Sequence, residues 1–225
     1  MSSEGTSVAI IAALPREVAA LVKGWERRET AKNIFVWMRG NAVAVCAGMG
    51  TARAALACEA AMKVWPATTL VSAGLAGACD PNLRVGDVVR GAVVVDAKTG
   101  ERFAAGGPSS SAVVVTGSAI ASVSEKARLR EAYDAAAVDM EAAAVVRIAQ
   151  AHGLEFRAVK AISDEADFAM NGLERFATSD GQFREGAFAL HAAVRPWMWG
   201  EVMALGRNSA KAVRALNEAL RAEID

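Results

Sequence analysis

Residues 136–164 read AAVDMEAAAVVRIAQAHGLEFRAVKAISD, and the change of pattern inside them specifies an α/β protein. Residues 136–139 form a short apolar run that stops at Met140-Glu141. From 142 to 152 the apolar residues Ala142, Val145, Val146 and Ala149 recur at helical spacing, with Ile148 widening the stripe. Gly153 is placed to close that helix, because a residue without Cβ adopts positive φ at little cost. Residues 156–162 are a second apolar run, ending at Ser163-Asp164. Strand, helix and strand make a β-α-β unit, whose parallel strands leave their carboxyl ends on one edge of the sheet, where α/β proteins place ligands. Glu141 and Asp164 are expected at that edge, at the ends of neighbouring strands. Each has an ordinary alternative role: Glu141 as a first-turn acid on a helix dipole, Asp164 as an N-cap.

Moving outward, residues 7–14 read as a buried first strand. Pro15 then opens a helix, where its missing amide hydrogen costs nothing. Glu17 falls in the first turn, a third acid just past a strand end. Residues 34–39 and 42–47 flank Gly40-Asn41 and predict a hairpin. Gly48-Met49-Gly50-Thr51 follows, then a helix over 52–64. A strand, a glycine turn and a helix start form a cradle for an anion or hydroxyl, since the free amides point outward. The turn lacks the full dinucleotide fingerprint, and no acid ends the next strand, 68–73, to hold a ribose. After that strand, Gly74-Leu75-Ala76-Gly77 lets backbone approach a ligand or a neighbouring strand. Further strands are expected at 88–96 and 112–116, with a loop rich in Gly, Ser, Ala and Pro at 97–111 and a helix near 124–132. Beyond Asp164, residues 165–181 carry turn signals and occupy a lid position. Helices over 183–194 and 197–222 are split by Pro196. The last has Val202, Leu205, Val213, Leu216 and Leu220 on its inner face, with Trp197, Met198 and Trp199 at its start read as core or, alternatively, as part of a subunit contact. No repeat or linker divides the chain, so residues 1–225 are expected to form one domain that includes 183–223.

Composition narrows the function classes. Over 225 residues, 53% are hydrophobic and 22% charged, enough for a large core and too apolar for global disorder. The formal net charge is zero, which leaves no basic surplus for a nucleic-acid backbone. Three cysteines, Cys46, Cys58 and Cys79, lie among apolar or small residues and read as buried free thiols of a reducing compartment. With two histidines and no CxxC, no metal site and no cofactor is expected. The apolar run 8–14 is too short to span a membrane, and a polar segment precedes it. A cytoplasmic protein with no membrane partner is the expectation.

Six stretches, in order, carry a resemblance: AIIAALPREVAAL (9–21), AGMGTARAALA (47–57), SAGLAGACDPNLRVGDVV (72–89), VVVTGSA (113–119), VDMEAAAVVRIA (138–149) and AVKAISDEAD (158–167). Together they resemble the nucleoside phosphorylase and nucleosidase superfamily, most of all the bacterial 5′-methylthioadenosine/S-adenosylhomocysteine nucleosidases. The resemblance implies a three-layer fold, with a central mixed sheet twisted towards a barrel and flanked by helices. It implies a purine nucleoside, a 5′-substituted adenosine, as substrate, and a homodimer. By position, Asp164 resembles the acid that protonates or hydrogen-bonds the purine N7, with Ser163 beside it. Glu141 resembles the carboxylate that grips the ribose hydroxyls, with Met140 beneath the sugar, and Glu17 the residue that activates water. Met49, Gly50 and Gly74 fall where the glycine turns meet substrate. Burial beside Ile162 and Phe168 is expected to raise the pKa of Asp164.

The chain also departs from this pattern. The region 87–116 is short, Leu75 stands where relatives often carry serine, and Ile120 stands where an aromatic often stacks on the base. Asp87 reads as structural. Arg16 and Arg53 lie near the glycine turns, but the arginine that related phosphorylases carry before the Ala73-Gly74 turn is missing. Water is therefore the expected nucleophile. A phosphate-dependent phosphorylase of the hopanoid-associated type, or a non-catalytic nucleoside-binding homologue, is the alternative.

Overall fold

A computed structural model describes residues 7–31, 33–107, 109–169 and 199–224. In chain order the elements are β1 (Val8–Ala12), α1 (Pro15–Val18), β2 (Glu26–Ala31), β3 (Ile34–Arg39), β4 (Ala42–Cys46), α2 (Thr51–Val64), β5 (Thr69–Ala78), β6 (Val88–Asp96), β7 (Arg102–Ala104), β8 (Ala112–Thr116), α3 (Val123–Tyr133), β9 (Ala137–Asp139), α4 (Ala142–Ala151), β10 (Glu155–Asp164) and α5 (Trp199–Ile224). Residue 183–194, the lid segment beyond 169, and the side chains of Trp197, Met198, Trp199 and Val202 lie outside the description.

All ten strands belong to one mixed sheet. Five of them close on themselves. β5 pairs with β9, β9 with β8, β8 with β6, β6 with β10, and β10 returns to β5. From β5 the sheet runs outward through β1, β4, β3 and β2. β1 is buried along its whole length, VAIIA, because helices cover both faces of the sheet. Ala9 and Ile11 pack with α2 and α4. Val8, Ile10 and Ala12 pack with α1 and α5, where Ala212, Leu216 and Leu220 are buried. A strand enclosed on both sides reads as a continuous apolar run. Leu129 of α3 seats a smaller cluster against Val115 and Val138.

The expected β-α-β unit is corrected in one respect. β9, α4 and β10 exist, and Gly153 has the positive φ of +66° that ends α4. But β9 and β10 are neither adjacent nor parallel: β5 lies between them, parallel to β10 and antiparallel to β9. The reason is the length of β5, expected to stop at 73 but continuing through Gly74–Ala78 as TLVSAGLAGA. Its small residues let strands close in from both sides, and Gly77 has Val138 as one partner and Asp164 as the other. The ends of β9 and β10 therefore still converge, on the far half of β5. Two further strands were not expected. β7 arises inside the 97–111 loop by pairing with β6, and β2, ERRETA, pairs antiparallel with β3 at the sheet edge. Charge on such an edge discourages pairing with other chains.

α5 is tied to the rest of the molecule by polar contacts as well as apolar ones. The buried Glu223 pairs with Arg90 of β6 and, at 3.0 Å, with Arg157 of β10. Asn217 accepts from the Leu21 amide and donates to the Glu17 carbonyl, both at 2.7 Å. The C-terminal helix thus fixes the backbone of the first candidate acid. Leu216 and Leu220 are buried as expected, while Leu205 and Val213 are half-buried. The three cysteines are free and buried. Burial pushes the Cys58 and Cys79 thiols up to about 12 and that of Cys46 well above its ordinary value, so all three stay protonated.

Candidate functional site

A cavity of about 630 Å³ opens where β5, β9 and β10 meet, within the range of small-molecule sites. Glu17, Glu141 and Asp164 all line it, as do Met49, Ile120, Met140 and Ser163. Gly50 and Gly74 do not line it directly. The Gly50 amide instead hydrogen-bonds Glu141, and Gly74 lies beside the Glu17 carboxyl.

Glu17 occupies the third position of α1, a helix of four residues begun by Pro15. Its Oε2 reaches back to accept from the Ala13 and Leu14 amides at 3.0 and 2.9 Å, as third-position glutamates do for the free amides of a helix start. Oε1 stands beside Gly74, 3.7 Å from where a Cβ would begin. Burial raises the pKa of Glu17, and the two amides and Lys160 only partly offset that.

Glu141 is the N-cap residue of α4. Its Oε1 accepts from the Gly50 amide at 2.7 Å and its Oε2 from the Met140 amide at 3.3 Å. Gly50, at φ +91°, is itself the N-cap of α2, so the start of that helix meets the carboxylate. Burial, and then the charge of Asp139, push the pKa of Glu141 up to about 7.

Asp164 is buried and ion-paired with Lys126 of α3, which also donates to the Glu165 carbonyl at 2.8 Å. Ser163 Oγ donates to Asp164 Oδ1 at 2.7 Å. The expected apolar surroundings of Asp164 are thus corrected: a lysine 1% exposed faces it. Gly77 makes room for the pair, since a Cβ there would fall 2.8 Å from Asp164 Oδ2 and 3.0 Å from Lys126 Cε.

A second buried lysine lies below Glu141. Lys160 pairs with Asp139 at 2.7 Å and donates to Ser72 Oγ at 3.0 Å. Asp139 also accepts from Thr116 Oγ1 and from the Ala142 amide. Of the four acids at this end of the barrel, two are matched by lysines and two are held by backbone amides. Burial raises the pKa of Glu17 and of Glu141.

Sequence reasoning missed Asp139, Lys126 and Lys160. A lysine within the apolar run 156–162 needs a buried anion nearby, and Asp139 was available. Lys126 sits three residues before the buried Leu129, on the inward face of α3. Arg16 lines the cavity, whereas Arg53 is turned to the carbonyls of Ala47 and Asn33. Asp87 accepts from the Arg84 amide at 2.8 Å within its turn. Among the described residues no cluster of acids, histidines and cysteines is arranged to hold a metal, and no helix is long and apolar enough to cross a membrane.

The family model of the phosphorylase superfamily matches residues 7–113 and 107–195. No curated protein matches the chain in sequence. Among solved structures, the 5′-methylthioadenosine/S-adenosylhomocysteine nucleosidase of Helicobacter pylori is similar at 15% identity and TM-score 0.72, covering 98% of each chain. The futalosine hydrolase of the same organism is similar at 15% identity and TM-score 0.72, over 98% of this chain and 97% of that one. The nucleosidase of Neisseria meningitidis in complex with methylthio-immucillin-A follows at 19% identity and TM-score 0.72, over 96% of both. At these identities the likeness is one of fold: a mixed sheet closing into a barrel between helices.

Proposed function

We propose, for a chain that belongs to the phosphorylase superfamily, a superfamily of enzymes, that it cleaves the N-glycosidic bond of a purine nucleoside by hydrolysis and that the nucleoside is a 5′-substituted adenosine. The observation that carries this reading is the gathering of Glu17, Glu141 and Asp164 on one cavity of nucleoside size. Breaking the bond between C1′ and N9 leaves positive charge on the sugar and negative charge on the base. A carboxylate beside the sugar stabilises the first, and a proton delivered to N7 stabilises the second. In this reading Asp164 serves the base and Glu141 the ribose hydroxyls, with Met140 under the ring. Glu17 takes the proton of the attacking water, as carboxylate pairs divide the work in glycoside hydrolysis. Leu75, Leu205 and Val213 give the cavity an apolar wall suited to a thioether at the 5′ position. The same reading makes the protein a cytoplasmic homodimer.

Purified protein incubated with methylthioadenosine or adenosylhomocysteine, without phosphate, is expected to release adenine, read by a coupled absorbance assay. No release with or without phosphate would reject the reading. One observation favours a second: Arg16 lines the cavity beside Glu17, and an arginine there suits an oxyanion. Release that requires phosphate would convert the hydrolase into a phosphorylase.

The pH dependence follows from Glu141. Its pKa of about 7 lies above the ordinary 4.5, so its ionised fraction grows as pH rises through neutrality. A ribose hydroxyl donates to the ionised form. kcat/KM, which reports groups of the free enzyme, is therefore expected to rise between about pH 6 and 8 and then level off. Glu17, also raised, acts in the same direction, so Glu141→Gln should leave a shallower limb. A flat wild-type profile over that interval would contradict the assignment.

A further inference from the structure

Asp164 is an unusual acid, because the structure surrounds it with donors. Lys126 donates to Oδ2 and Ser163 Oγ to Oδ1. Both oxygens of Asp164 are thus engaged by donors, one of them a charged ammonium. Lys126 is correspondingly committed. It is 1% exposed, and its ammonium also faces the carbonyls of Glu165 and Phe168 at 2.8 and 3.4 Å. Both members of the pair line the cavity, and Gly77 leaves space for them that no side chain could share. If the reading above holds, the charged donor in direct contact with the acid that serves the base is Lys126.

We propose that Lys126 is the source of that proton and acts through Asp164. As the C1′–N9 bond breaks, its electron pair moves into the purine. Asp164 takes a proton from the Lys126 ammonium and passes it to N7. The products are a neutral purine, an Asp164 carboxylate and a neutral Lys126 amine. Water supplies the hydroxyl to C1′ and its remaining proton goes to Glu17. Solvent returns a proton to Lys126 and takes one from Glu17 once the products have left. The Ser163 hydroxyl has a second acceptor, Ala76 O at 3.3 Å, so it can turn away while the Asp164 carboxyl is protonated. A lysine ammonium, unlike a guanidinium, can give up its proton. The transfer leaves the buried Asp164 carboxylate without its cation, which favours prompt return of a proton to Lys126.

Two substitutions separate this relay from a merely structural ion pair. Lys126→Arg keeps the charge and the hydrogen bonds, but a guanidinium does not give up its proton in proteins. Its kcat on the nucleoside that the wild type cleaves is expected to fall by about 100-fold or more, with KM and thermal unfolding temperature little changed. Lys126→Met removes the charge and lets Asp164 bind a proton itself. At pH 6 it is expected to be more active than the arginine variant, and to lose at least about tenfold by pH 9 while the wild type does not. Among the described residues, Glu125 and Arg130 of α3, Cys79 after β5, Glu165, and Asp139, Lys160, Glu141, Glu17 and Arg16 around the cavity are titratable or charged groups near the pair. They are common to all three proteins, so a difference between profiles belongs to Lys126. Wild-type turnover in Lys126→Arg overturns the relay alone. So does a methionine variant whose activity tracks the wild type at every pH, and this measurement stands if the arginine variant fails to fold. A wild type that releases no purine overturns the parent reading, and the relay with it.

Discussion

Asp164→Asn is expected to lower kcat by about 10²- to 10⁴-fold, the usual contribution of a positioned acid. Asparagine keeps the shape of the side chain. Its amide cannot carry a proton from Lys126 to the base, and its NH2 group would meet the Lys126 ammonium or the Ser163 hydroxyl as a second donor. The substitution also leaves a buried cation without its anion. Breaking such a pair by removing one partner costs about 3–5 kcal/mol, so the unfolding temperature should fall too. Turnover is therefore to be measured well below the variant's own unfolding transition, with nucleoside affinity as a check that the cavity persists. Turnover within about threefold of wild type would remove Asp164 from the reaction.

Glu17→Gln should be nearly as damaging to kcat and far gentler to the fold. The carboxylate Oε2 accepts from the Ala13 and Leu14 amides, and the glutamine carbonyl oxygen can take over that position. Its NH2 group would then face Gly74 and the cavity, where Oε1 now stands. Geometry is kept and basicity is lost. A drop in kcat of about 10²-fold or more with KM little changed is expected, the pattern of a group needed only in the transition state. A variant that loses affinity but not turnover would place Glu17 in binding instead of water activation. Burial already raises the pKa of this residue, which moves a carboxylate towards the range where a general base works best at neutral pH.

The sequence by itself determined what depends on near neighbours. The apolar spacing of 142–152, Pro15 at a helix start, Gly153 past a helix end and the double-faced apolar strands are local patterns with local causes, and each element formed where its pattern lay. Three acids placed just past strand ends were legible for the same reason. β2 was not, because ERRETA carries no apolar alternation and is a strand only because β3 offers it an edge. Only the tertiary structure decided how far β5 runs, since Gly74–Ala78 has weak preferences of its own and is held extended by β10 on one side and β9 on the other. The same holds for the partners of the acids. Gly50 and Glu141 are 91 residues apart, and Lys126 and Asp164 are 38 apart. Which donor reaches a carboxylate depends on how the strands close into a ring, and no short-range spacing encodes that.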